Sequence, residues 1–282
     1  MITGKTKVAA VIGNPIEHSL SPPMHNAAYK QMGMDYVYVA FKIEKDNLSH
    51  LIESAKTMGL VGLNVTIPYK TDIIEYLDEV DDTARRINAV NTIRFKDGMA
   101  KGYNTDGTGA VKSIEKYTEL KNKKVLVLGA GGASKAITFT LLNHGINSLT
   151  IANRSRDNAI QLIDNLKKQT GFDKINYVDI EQADTILDSV DIIINTTPIG
   201  MYPNVDADTP IKTEKINENH VVMDIIYNPL ETKLLKNAKD NGATTISGTN
   251  MLINQGITAF EIFTGKTPSY ESFEKALLEQ LK

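Results

Sequence analysis

Runs of hydroxyl, amide and charged side chains recur in the first part of the chain, at His18-Ser19-Leu20-Ser21-Pro22, Asn64-Val65-Thr66-Ile67-Pro68-Tyr69-Lys70, Asn88-Ala89-Val90-Asn91-Thr92 and Tyr103-Asn104-Thr105-Asp106-Gly107. Each lies where a strand or helix is expected to begin or end, and in an α/β domain the carboxyl ends of strands face the ligand crevice. Asn64 and Thr66 are two apart on an extended run, so they point the same way. Pro68 lacks an N–H and ends the ladder, which leaves Lys70 at a strand-to-loop junction where its charge can face a cleft. Together these residues suit a polyhydroxylated, anionic small molecule. Each also has a plainer role open to it. Ser19 or Ser21 could cap the helix that begins at Pro22, and Asp106 the one that begins at Gly107. Asn64 and Thr66 could satisfy backbone groups, and Lys70 could be a solvated charge.

A second constellation lies further along. Val125-Leu126-Val127-Leu128 reads as an apolar strand, and it runs into Gly129-Ala130-Gly131-Gly132-Ala133-Ser134 before a helix. Gly129 permits a tight turn and Gly131 lets a pyrophosphate approach backbone N–H groups at the helix N-terminus. Ser134 stands where G-x-G-x-x-G/A has its third small residue. About 20 residues on, where an NAD-preferring fold carries Asp or Glu, the chain has Ala152-Asn153-Arg154-Ser155-Arg156, which suits a 2′-phosphate and favours NADP over NAD.

The elements needed to position these groups follow from periodicity. Strands are expected at 7–12, 36–43 and 61–66, with helices at 22–32 and 47–58 between them, an alternation typical of parallel βαβ units. A short helix at 71–77 and a polar stretch at 78–86 follow. Strands at 92–95 and 99–103 are joined by Asp97-Gly98, a type I′ hairpin signal. A helix at 107–117 leads to a polar boundary at 119–123. Beyond it come strands at 124–128, 149–152, 175–178, 192–195, 221–225 and 244–246. Helices at 133–143, 157–169, 183–189 and 232–241 alternate with them, the order of a doubly wound sheet. The fold class is thus α/β. Residues 1–120 are expected to form one domain, which carries the polar motifs suited to substrate binding and catalysis, and 121–250 a Rossmann-type nucleotide domain, with helices over about 251–282 expected to pack back on the first.

The chain has 282 residues and 41% hydrophobic content, enough for two cored domains. Its 31 basic and 34 acidic residues are dispersed, without the basic block of a nucleic-acid binder. No apolar run reaches the length of a membrane span or signal peptide, which points to a cytoplasmic protein. Zero cysteines exclude disulfides, thiolate metal sites and a cysteine nucleophile, and the 5 histidines form no i, i+4 pair. No metal is expected.

The motifs HSLSP, NVTIPYK, NAVNT, YNTDG, GAGGAS, NRS and Gly248-Thr249-Asn250-Met251-Leu252-Ile253-Asn254-Gln255-Gly256 resemble, in order and approximate spacing, those of the shikimate dehydrogenases. The resemblance covers essentially the whole chain. It implies an oxidoreductase that reversibly reduces 3-dehydroshikimate to shikimate with NADPH, a step toward chorismate and the aromatic amino acids. Shikimate is placed on the first domain and NADP on the second. Lys70 and Asp106 become the catalytic pair, Ser19 and Ser21 hold the substrate carboxylate, Asn64, Thr66, Asn91 and Gln255 contact ring hydroxyls, and Tyr227 lines the pocket. Gly129, Ala130, Gly131, Gly132 and Ala133, then Asn153, Arg154, Ser155, Arg156 and Asn158, and finally Ile225, Gly248 and Met251 are assigned to the cofactor. Family members often have a second basic residue at position 158, where this chain has Asn158.

An unperturbed lysine has a pKa of about 10.4 and a nearby carboxylate raises it, so Lys70 is expected to protonate the oxygen in the reduction direction. Four other readings compete. A quinate-oxidising, NAD-using relative fits the paired serines and the Asn-Arg-Ser-Arg loop less well. A methylene-tetrahydrofolate dehydrogenase leaves HSLSP and NTDG unexplained. From another class, a methyltransferase would carry an acidic residue for the ribose hydroxyls where this chain has Asn153-Arg154, and a non-catalytic nucleotide-binding module has little use for both Lys70 and Asp106. A homodimer is compatible with the sequence.

Overall fold

The structure, a computed structural model, describes residues 2–281. Its contacts divide the chain into two units, one formed by residues up to Thr105 together with those from Ile253 onward, the other by Asp106–Leu252.

The first unit holds strands β1 (Lys7–Gly13), β2 (Tyr36–Lys42), β3 (Gly62–Val65), β4 (Glu79–Val80), β5 (Thr92–Lys96) and β6 (Met99–Tyr103). They form one sheet in the order β2-β1-β3-β5-β6-β4. The expected parallel βαβ arrangement accounts for β2-β1-β3 only, because β5 runs antiparallel to both β3 and β6. The Asp97-Gly98 turn has positive φ at both residues (53° and 78°), as a type I′ hairpin requires. Helices α1 (Ser21–Gln31), α2 (Leu48–Thr57) and α3 (Asp82–Ile87) connect these strands, and the segment expected as a short helix at 71–77 is a 3₁₀ turn, Asp72–Tyr76. Helix α3 lies in what reads as a featureless polar stretch; Asp81 starts it by accepting from the Thr83 N–H (3.0 Å), and Asn88 ends it in the left-handed region.

Alternation along the strands divides the first sheet's side chains. Ala10, Ile12, Leu63 and Val65 bury against Leu48, Ile52 and Ala55 of α2 and against Ile73, while Ala9, Val11, Tyr38 and Asn64 take the opposite parity. On the α1 side an aromatic cluster forms. The His25 ring stacks on Tyr38 (4.2 Å between centroids, 16° between planes) and meets Phe260 and Phe273.

The second unit contains α4 (Asp106–Glu115), β7 (Lys124–Leu128), α5 (Gly132–Asn143), β8 (Ser148–Ala152), α6 (Arg156–Thr170), β9 (Ile175–Val178), β10 (Ile192–Asn195), β11 (Val221–Asp224), α7 (Lys233–Asp240) and β12 (Thr244–Ile246). All its strands are parallel, in the order β12-β11-β10-β7-β8-β9. Read from β7, this is the 3-2-1-4-5-6 order of a Rossmann fold. The central strands are buried on both faces, which explains their uninterrupted Val, Leu and Ile runs. The sequence places the boundary after α4, at 119–123. The division instead falls before α4, because Gly107 lies directly against Thr140 and Ala136 of α5 and Glu115 pairs with His144 (3.1 Å). It falls again inside α8 (Gly248–Thr264), and α9 (Tyr270–Gln280) packs on α1.

His25 is fully buried, and burial drives its imidazole down to about 3 from 6.5. The folded chain thus holds it neutral while the unfolded chain protonates it below about 6.5. Stability from this group is complete above the unfolded value and falls as pH drops toward 3. The slope reaches about 1.4 kcal/mol per pH unit. In His25→Phe, thermal melts from pH 7 to 4 should show a shallower acid loss than the parent; parallel curves would contradict this.

Candidate active site

The polar side chains of the first sheet form a continuous hydrogen-bonded array. Asn64 stands opposite Thr92 across the β3–β5 pair, and its Nδ2 donates to Thr92 Oγ1 (2.9 Å) and to the Asn91 carbonyl (3.0 Å). Thr92 Oγ1 donates to Asn91 Oδ1 (3.0 Å), which also accepts from the Thr105 N–H (2.8 Å). Asn91 Nδ2 donates to Thr105 Oγ1 (3.0 Å), and Thr105 Oγ1 donates to Gln255 Oε1 on α8 (3.5 Å). Three of the expected substrate residues, Asn64, Asn91 and Gln255, are thereby joined through Thr92 and Thr105, which the sequence reading does not single out. A β-branched polar residue opposite another strand's amide is the signal that would have marked Thr92.

Lys70 is fixed to the same array through its backbone. Its carbonyl accepts from the Val90 N–H (2.7 Å), one residue before Asn91, and Asn104 Nδ2 donates to the Ala89 carbonyl (3.1 Å). Tyr69, just before it, is buried with its hydroxyl on the Ile43 carbonyl. The Lys70 side chain is half-buried. Thr66 follows β3, its N–H on the Ile12 carbonyl (2.9 Å) and its methyl against Gly13. For Ser19 and Ser21 the capping alternative falls away: Leu20 is the N-cap of α1 and no side chain caps the helix. Ser19 Oγ accepts only a long bond from the Ser21 N–H (3.4 Å).

Asp106 and Tyr227 belong to the second unit. Asp106 is the buried first residue of α4 (8% exposed), and burial raises the Tyr227 phenol above its ordinary pKa.

In the second unit the chain turns from β7 at Gly129, whose φ of 104° excludes most side chains. At Gly131 and Gly132 an added Cβ would meet nothing within 4 Å, so the backbone opening α5 stands clear for an anion. A cavity of about 230 Å³ lies beside it, lined by Ala130, Gly131, Gly132 and Lys135 on one side and Asn158, Gln161, Leu162 and Asn165 on the other. Lys135 adds a cation the sequence reading overlooks, one helical turn beyond Gly132 and on the same face. Ala133 opens α5 beside them. Arg154 and Arg156 are exposed, Asn153 Nδ2 donates to the Ser155 carbonyl (2.7 Å), and Ser155 caps α6 by accepting from the Asn158 N–H (3.4 Å). Open glycine backbone and nearby cations fit a phosphorylated dinucleotide. On the far side of the sheet Gly248 lies directly against the Ile225 carbonyl, so a side chain there would collide with backbone, and Met251 follows one turn later.

Family models match along the chain: the shikimate dehydrogenase substrate binding domain on residues 11–93, shikimate / quinate 5-dehydrogenase on 111–229, and the shikimate 5′-dehydrogenase C-terminal domain on 248–278. The chain belongs to the shikimate dehydrogenase family. A shikimate dehydrogenase (NADP(+)) of Methanosphaera stadtmanae is 68% identical over 282 residues, 100% of both chains. A shikimate dehydrogenase solved in complex with NADP+ superposes with a TM-score of 0.94 at 48% identity, covering 100% of this chain and 98% of that one. Shikimate 5-dehydrogenase from Listeria monocytogenes, solved with shikimate and NAD, gives 0.92 at 34% identity over 98% of both.

This member of the family secures its nucleotide-side loops with a buried carboxylate. Asp224, at the end of β11, accepts from Asn195 Nδ2 (3.1 Å), the Ile226 N–H (3.1 Å) and Thr232 Oγ1 (2.7 Å), while burial pushes its pKa up against those bonds. Asn195 in turn accepts from the Thr197 N–H (3.0 Å), so the loops after β10 and β11 share one anchor. An amide at 224 would set an NH₂ against converging donors. Asp224→Asn should lose about 1–3 kcal/mol in chemical unfolding and raise KM for the nucleotide; unchanged values of both would remove this role.

Proposed function

We infer that this chain catalyses the reversible reduction of 3-dehydroshikimate to shikimate with NADPH, on the route to chorismate and the aromatic amino acids. The observation carrying this reading is the array from Asn64 to Gln255, which gathers amides and hydroxyls suited to a polyol ring beside the Lys70 backbone. The first unit binds the substrate: Ser19 and Ser21 take its carboxylate and Asn64, Thr66, Asn91 and Gln255 its hydroxyls; Tyr227 is also assigned to the substrate. NADP supplies the hydride chemistry when bound, held by Gly129 to Ala133, by Asn153, Arg154, Ser155, Arg156 and Asn158, and by Ile225, Gly248 and Met251. No described helix is long and apolar enough to cross a membrane, and we read the site of action as the cytoplasm.

Proton transfer at the reacting oxygen falls to the protein. Lys70 donates it in the reduction direction and stabilises the charge that develops on the oxygen, and Asp106 is its catalytic partner. Such an interaction strengthens in the transition state, so it acts on turnover more than on affinity.

Incubating the protein with shikimate and following NADPH formation tests the reaction directly, and parallel reactions with quinate and with NAD separate the quinate-oxidising alternative. Lys70→Ala should lower kcat by about 10²–10⁴-fold with little change in KM for shikimate. Asp106→Asn should impair both parameters. A Lys70→Ala enzyme that keeps its turnover and loses only affinity would make Lys70 a binding residue.

A further inference from the structure

Tyr38 has no part in the motifs, yet it is buried and held from several sides next to the substrate array. It sits on the edge strand β2, 1% exposed, and Asn26 of α1 satisfies both its outward backbone groups, donating to its carbonyl (2.8 Å) and accepting from its N–H (2.9 Å). His25 covers one face of its ring. Tyr38 stands opposite Ala9 of β1, and Asn64 stands opposite Val11 from the other flank of the same strand. The ring therefore reaches diagonally across β1, where Ala9 leaves room, and its hydroxyl donates to Asn64 Oδ1 at 2.6 Å.

Counting protons gives this contact a direction. A carboxamide has two N–H donors and one oxygen with two lone pairs. Both donors of Asn64 are engaged inside the fold, on the Asn91 carbonyl and Thr92 Oγ1, and one lone pair takes the Tyr38 proton. What Asn64 presents to a ligand is the remaining lone pair. The order continues one way. The Thr105 hydroxyl lies 3.3 Å from Asn91 Oδ1 and 3.5 Å from Gln255 Oε1, and because Asn91 Oδ1 already accepts from the Thr105 N–H and Thr92 Oγ1, the unfilled acceptor for its proton is Gln255 Oε1.

We propose that Tyr38 is the positioning residue that fixes the Asn64 carboxamide oxygen as the acceptor for a substrate ring hydroxyl, so that the array is polarised from Tyr38 toward Gln255. A hydroxyl meeting Asn64 must donate to it. The proposal rests on the shikimate reading above, since that reading supplies the hydroxyl.

Steady-state kinetics of Tyr38→Phe with shikimate and NADP test it, because Phe keeps the stacking ring and removes only the hydroxyl. KM for shikimate should rise about tenfold, the equivalent of losing one oriented hydrogen bond, while KM for NADP stays at the parental value. The double variant Tyr38→Phe/Asn64→Ala should be no worse than Asn64→Ala alone. Parental KM for shikimate in Tyr38→Phe, a parallel rise in both KM values, or additive losses in the double variant would each overturn it. If the Asn64 variants fail to fold, the KM split in Tyr38→Phe decides by itself. A parent protein that does not oxidise shikimate at all would instead sink the functional reading; an active parent with an unaffected Tyr38→Phe sinks only this proposal.

Discussion

A buried carboxamide sets the terms for the first unit. Leaving a polar group of Asn64 unpaired in that interior would cost about 1–3 kcal/mol, so each must find a partner, and the partners come from two separate parts of the chain. Thr92 and Asn91 arrive on the antiparallel strand β5, and Tyr38 reaches across from β2. The Asp97-Gly98 hairpin and the left-handed Asn88 at the end of α3 deliver β5 at the right level. Side chains assembled this way are held by their own hydrogen bonds, and in the proposed reading this lowers the ordering cost of binding substrate.

The nucleotide unit meets the same constraint at the ends of its own strands. Asn195 and Asp224 stand side by side on β10 and β11, and their mutual bond leaves each free to hold a loop. The anion site is built by the opposite means. There the proposed contact is the backbone itself, so what matters is the open space over Gly131 and Gly132 and the tight turn at Gly129. A polyol calls for many oriented side chains, and a pyrophosphate for exposed N–H groups; the two units differ in composition at their sites for that reason.

Much of this was legible in the chain. Apolar runs such as Ile192–Ile194 identify buried parallel strands, and the strand, tight glycine turn and helix around Gly129 are read directly from the chain, because each signal is local. What stayed hidden depends on neighbours in space. Periodicity says that β5 is a strand but not that it runs antiparallel to β3, so the mixed sheet was not legible. Helix α3 lacks an apolar stripe of any length and exists through its cap at Asp81 and the burial of Ala84 and Ile87. The hydroxyl of Tyr38 looks like any aromatic on a strand until register sets it diagonal to Asn64, and Lys135 looks like a surface lysine until α6 comes alongside. The break before α4 was missed because it depends on packing against α5, not on linker composition.

Lys70 shows how positioning and chemistry are tied together in this frame. Its place is fixed by backbone: the buried Tyr69 on one side and its own carbonyl on the Val90 N–H. The residue after Val90 is Asn91, whose carboxamide fixes both the N–H and the hydroxyl of Thr105, and the residue after Thr105 is Asp106. The two proposed catalytic residues are therefore joined through one amide and two short stretches of chain, with the hydroxyl-reading side chains on the same frame. A displacement of the β5–β6 hairpin would move Asn91 and the Lys70 backbone together. In the proposed reading, recognition of the ring and placement of the Lys70 backbone share one hydrogen-bonded frame, while the proton itself depends on the lysine side chain.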